Sequence, residues 1–111
     1  MTRPESLQTF WALSDPVRLE ILERVAAGSE VTVSRLAAVL PITRQAVARH
    51  LKTLEEAGLV NGHQEGRDNR YRVNTGPLDD AGRWLQSRAA GWQGALERLK
   101  RHVESARGGG N

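Results

Sequence analysis

The side chains best suited to chemistry cluster in one short stretch, Thr43-Arg44-Gln45-Ala46-Val47-Ala48-Arg49-His50-Leu51-Lys52. Arg44, Arg49 and Lys52 supply cations there, no acid interrupts them before Glu55, and Thr43 and Gln45 add hydrogen-bonding groups. Such groups can hold a polyanion and read base edges: arginine pairs with guanine O6 and N7, glutamine with adenine, and a methyl like that of Ala48 meets a thymine methyl. Val47, Leu51 and Leu54 recur at i, i+4 and i+7, so a helix would bury them and turn the basic side chains outward. Thr43 stands where an N-cap belongs, and Gly58 where a left-handed residue closes a helix. Taken alone, Thr43–Gly58 fits an ordinary amphipathic helix with a solvated basic face equally well. The flanks must decide.

Other chemistries find little support. With no cysteine among the 111 residues, disulfides, thiolate metal sites and cysteine nucleophiles are excluded. The three histidines, His50, His63 and His102, fall on separate elements. There is no Gly-rich phosphate loop, no nucleophile with its base and no pair of carboxylates suited to a cleft, so an enzyme is the weakest reading. No apolar run approaches the roughly 18 residues of a membrane span. The polar start MTRPESLQTF has no signal-peptide hydrophobic region, which leads us to expect a cytoplasmic protein. A net charge of +3 and a pI near 10.2 favour a polyanionic partner.

The elements that must position the basic stretch follow from the pattern around it. A first helix is expected from Pro4 to about Ser14, with Leu7, Phe10, Trp11 and Leu13 on its apolar side. Asp15 can cap a second helix that Pro16 opens and Gly28 stops, burying Val17, Ile21, Leu22 and Val25. Val31-Thr32-Val33 reads as a short edge strand, and Ser34 to Leu40 as a third helix with Leu36, Ala37 and Leu40 inward. Pro41 and Ile42 then make a tight turn into the basic helix, which is a helix-turn-helix arrangement. After Gly58 the period changes. Leu59–Glu65 and Arg70–Asn74 flank Gly66-Arg67-Asp68-Asn69 as a hairpin, with an arginine-bearing tip placed to reach phosphates or a minor groove. A solvated hairpin whose arginines only protect an edge strand is the plainer alternative.

From Pro77 to about Ala106 one long helix is expected. Leu78, Leu85, Trp92 and Leu99 repeat every seven residues, as do Gly82, Ala89, Leu96 and Val103. Such a seam has more apolar face than a small domain can cover, and a second copy of the chain is the economical partner.

The order of these elements is that of a winged helix-turn-helix, and the residues Ala12–Arg18, Thr43–Leu51, Leu54–Val60 and Glu65-Gly66-Arg67 with Tyr71 resemble the ArsR/SmtB family of bacterial repressors over roughly residues 8–103. The resemblance implies a homodimeric transcriptional repressor on an inverted-repeat operator in double-stranded DNA, dimerising through its first and last helices; no cofactor is expected. Metal-sensing members carry two cysteines where this chain has Thr32 and Ser34, and hydroxyls are poor ligands for soft metals. Asp79, Asp80, His102 and Glu104 lack the spacing of the family's other site. The chain is therefore similar to the metal-independent branch, with no metal residues assigned and its effector, a small molecule or a protein, left open.

The expected fold is mainly α with a small β-hairpin wing (α+β). It occupies 1–107 as a single winged helix-turn-helix domain, with a DNA-binding core at 15–74, dimerisation helices at 4–14 and 77–106, and a flexible tail at 108–111. By resemblance and helix geometry, Thr43, Arg44, Gln45, Ala48 and Arg49 face the groove. Ser34, Arg35, His50 and Lys52 are assigned to phosphates or supporting contacts, and Arg67, Arg70 and Arg72 to the wing. Leu7, Phe10, Trp11, Leu78, Leu85, Ala89, Trp92, Leu96, Leu99 and Val103 are assigned to dimerisation. The rival functions are a sequence-tolerant architectural DNA binder and a winged-helix module for protein contacts.

Overall fold

A computed structural model of the protein describes residues 5–28 and 31–108. Its elements run α1 (Leu7–Leu13), α2 (Pro16–Ala27), β1 (Val31–Thr32), α3 (Val33–Val39), α4 (Arg44–Glu56), β2 (Val60–Glu65), β3 (Asp68–Val73) and α5 (Gly76–Gly108). Pro4, the expected start of the first helix, lies outside the described residues, as do 109–111 of the expected tail, while Gly108 is the last residue of α5. Two compact units result, Met1–Ala81 and Gly82–Asn111, and the boundary between them falls inside α5.

In the first unit, helix starts are set by local side chains. Asp15 Oδ1 accepts the backbone N–H groups of Val17 (2.8 Å) and Arg18 (3.1 Å), and Pro16 occupies the first turn, where its missing donor costs nothing. Arg18 then fastens α2 to α1. Its Nε donates to the Ala12 carbonyl at 2.8 Å and its Nη2 to that of Trp11 at 3.2 Å, with the guanidinium 4.9 Å from the Trp11 ring centroid. The face of α1 differs in part from the expected one, since Leu13 packs against the core and Phe10 is half-buried. Thr9 and Ala12 are buried, whereas Leu7 and Trp11 are exposed, because small side chains let this short helix lie close to its neighbours.

The backbone N–H of Arg18, then that of Val17 and the Arg18 guanidinium, hold the Asp15 carboxyl below its ordinary value, against a partial desolvation; His50 adds a smaller pull. A carboxyl lowered in the folded state stabilises fully above its unfolded pKa and loses that contribution as pH falls through the folded one. Asp15→Asn keeps the cap oxygen and removes the charge. It should melt below the wild type at neutral pH, with the gap closing as pH drops under about 4, as thermal melts across that range would record.

Ile21, Leu22 and Val25 of α2, Leu36 of α3, and Val47, Leu51 and Leu54 of α4 share one buried cluster with Leu40, Leu59 and Val60. The antiparallel sheet has the order β1-β3-β2, so β3 is central and β1 is an edge strand. Its hairpin is tighter than the sequence suggests. Glu65 pairs with Asp68, leaving Gly66 and Arg67 as a two-residue turn with φ +64° at Gly66, the position where a type II′ turn needs glycine. Gly62 pairs with Tyr71, and a Cβ at Gly62 would stand 2.7 Å from the Tyr71 ring and 2.8 Å from a Glu55 carboxylate oxygen. The bare backbone there lets the ring cover it.

Asn74 ties the wing to the end of α4. Its N–H donates to Leu59 O at 2.8 Å, its Nδ2 to Gly58 O at 3.0 Å, and its Oδ1 accepts from Gly76 N at 3.2 Å, where α5 begins. Leu78 packs on the core of this unit and Ala81 is buried.

In the second unit, Leu85, Trp92, Leu96, Leu99 and Val103 of α5 are exposed, and Ala89 is exposed among them. Trp84 is half-buried, with the Arg88 guanidinium 5.3 Å from its ring centroid. Among the described residues, no helix is long and apolar enough to cross a membrane.

Candidate nucleic-acid interface

The start of α4 presents the basic stretch. Thr43 is its N-cap, accepting the Ala46 N–H at 3.1 Å, so its hydroxyl oxygen is committed to the helix. Arg44, Gln45, Ala48, Arg49 and Lys52 are exposed, while the inward stripe of α4 is sealed in the core. On the facing helix, Thr32 caps α3 by accepting the Arg35 N–H at 3.2 Å, and Ser34 lies one residue past the helix start. Arg44 Nη2 donates to Ser34 Oγ at 2.8 Å across the turn. Thr32 and Ser34 thus both serve as hydrogen-bond acceptors here.

A cleft of about 530 Å³ joins these helices to the wing tip, lined by Thr32, Val33, Ser34, Arg44, Gln45, Ala48, Arg67, Asp68 and Asn69. Five of the residues proposed from sequence therefore meet in one place: Ser34, Arg44, Gln45, Ala48 and Arg67. Asp68 and Asn69 join the cleft although the sequence suggests a four-residue loop there, because the two-residue Gly-Arg turn places both in the ladder. Of the expected strand, Thr32 stays in β1 and also caps α3, whereas Val33 is the first residue of α3. Arg44 and Arg67 outweigh the single acid Asp68, so the lining is net positive.

The remaining candidates lie outside this lining. Arg35 and Arg72 are exposed on α3 and β3, and Arg49 and Lys52 continue along α4. His50 is half-buried and close enough to Asp15 to act on its carboxylate. Arg70 is half-buried, its Nε 3.1 Å from Glu65 Oε2, with His63 Nε2 3.9 Å from the same oxygen. Tyr71 packs against the core, and burial, then the Glu55 charge, push its phenol above the ordinary value. It is a neutral packing residue.

A capped helix carrying outward cations, braced by a second helix across a tight turn and followed by a hairpin with arginine at its tip, defines a winged helix-turn-helix, whose exposed donors suit DNA. Comparison with known proteins agrees. The family model described as a helix-turn-helix domain matches residues 13–63. The transcriptional repressor SdpR of Bacillus subtilis is 32% identical over 76 residues, covering 68% of this chain and 83% of that protein. Among solved structures, an ArsR-like transcriptional regulator from Rhodococcus superimposes with a TM-score of 0.78 at 38% identity, covering 87% of this chain and 91% of the other. The homodimeric winged helix-turn-helix DNA-binding domain of a possible ArsR-family regulator from Mycobacterium bovis gives a TM-score of 0.61 at 26% identity, covering 78% of each. This chain belongs to the ArsR/SmtB family of winged helix-turn-helix transcriptional regulators.

Proposed function

We propose that the protein is a homodimeric transcriptional repressor that binds a pseudo-palindromic operator, including DNA upstream of its own gene, and works in the cytoplasm. The observation that carries this reading is the shared cleft, where Arg44 and Gln45 of α4 stand beside Arg67 of the wing. One element then reads base edges while the other holds backbone. Repression is supported by the similarity to SdpR, and dimerisation by the homodimeric Mycobacterium bovis neighbour and the exposed stripe of α5. A two-fold dimer would set its two α4 helices about 34 Å apart, one turn of DNA.

The test is fluorescence anisotropy at ~150 mM salt, titrating upstream DNA against scrambled DNA of equal length. A preference of at least ~10³ is expected. Equal binding to both would favour the architectural reading, and no binding to either would favour a protein-contact module. Arg67→Ala tests the wing separately. Losing one phosphate contact per protomer should weaken binding on every sequence and flatten the slope of log K against log[salt] by about 2 per dimer. An unchanged slope would take Arg67 off the phosphate.

A further inference from the structure

We propose that Ser34 is a positioning residue that fixes the Arg44 guanidinium and thereby sets base selectivity, an inference that rests on the operator-binding reading above. Arginine has a long side chain with many rotamers, and fixing one conformation before binding removes an entropic cost from the bound state. The structure supplies a fixed point for that purpose. Ser34 Oγ accepts from Arg44 Nη2 at 2.8 Å, although the two residues are ten apart in sequence and sit on different helices.

Neither end of this bond floats. Thr32 caps the helix that carries Ser34, and Thr43 caps the helix that carries Arg44. Behind them, Leu36 and Leu40 share the buried core with Val47 and Leu51, which holds the spacing of α3 and α4. The acceptor bond uses one N–H of the guanidinium, whose five donors form a rigid fork, so the others remain for a base edge. The Ser34 hydroxyl acts here as acceptor and keeps its own O–H as a donor, so orientation of Arg44 is a role additional to the phosphate contact that the sequence alone suggests for it.

The two roles separate experimentally. In the free protein, nitrogen-15 relaxation of the Arg44 Nε–H group should show an ordered side chain that becomes mobile in Ser34→Ala and is restored in Ser34→Thr. On the preferred operator, Ser34→Ala should weaken binding roughly fivefold to tenfold, and the loss should vanish in the Arg44→Ala background. It should vanish equally on a site where the base pair read by Arg44 is replaced. Ser34→Ala places a good helix former at an exposed site, so folding is retained. A loss of equal size in both backgrounds, or no change in Arg44 mobility, would overturn the positioning role while leaving operator binding intact. A wild type that binds operator and scrambled DNA alike would instead overturn the operator reading, and the selectivity role with it.

Discussion

Replacing Leu51 by alanine is expected to lower the unfolding free energy by about 3–4 kcal/mol, measured by urea denaturation. Leu51 is 0% exposed, as are Val47 and Leu54 on the same stripe of α4, and the cluster they share takes in Ile21 and Val25 of α2 and Leu36 of α3. Truncation there removes the transfer energy of three carbons and opens a cavity between helices too well fixed to collapse into it. A small domain has only about 5–15 kcal/mol in total, so a large share of its stability would disappear with one side chain. Val39→Ala is the control: Val39 is 57% exposed on the neighbouring helix, and its loss should stay within ~0.5 kcal/mol. A Leu51→Ala loss below ~1 kcal/mol would mean that α4 is not anchored by this stripe.

The same stripe explains what the sequence discloses and what it withholds. Thr43, Val47, Leu51, Leu54 and Gly58 act within one helix, so capping and period place α4 to within a residue or two. Asp15 and Pro16 reveal α2 in the same way. Features set by neighbours across space are harder to read. Asp68 and Asn69 are poor strand formers, yet pairing with Glu65 and Gln64 draws them into β3. On α1 Leu7 and Trp11 are exposed while Thr9 and Ala12 are buried, which composition does not predict. Arg70 looks as free as Arg67 in the sequence, and only the hairpin register brings Glu65 within 3.1 Å of it. The heptad pattern also groups Leu78 with Leu85, although the first packs on its own core and the second is exposed. A repeat records an apolar face, not what covers it.

Leu99→Glu is expected to convert the proposed dimer to a monomer and to weaken binding to the proposed operator by at least ~100-fold, with little change in the fold of the protomer. Trp92, Leu96, Leu99 and Val103 follow at i, i+4, i+7 and i+11, which confines them to one narrow stripe of α5, and they are 66%, 59%, 59% and 43% exposed. Covering each such side chain stabilises an interface by about 1.5–3 kcal/mol, whereas a carboxylate buried among them without a partner reverses the gain. The protomer keeps its stability because Leu99 contributes nothing to the buried cluster of the first unit. Operator binding suffers because two half-sites bound through one dimer profit from a high effective concentration that a monomer lacks. Analytical ultracentrifugation and anisotropy on the same samples decide the matter. A dimer that persists with unchanged affinity would move the interface off this stripe. A monomer that still binds the operator at full strength would show that a single recognition helix and wing suffice. Leu51→Ala and Leu99→Glu therefore form a contrasting pair: the buried leucine should cost stability, and the exposed one should cost assembly.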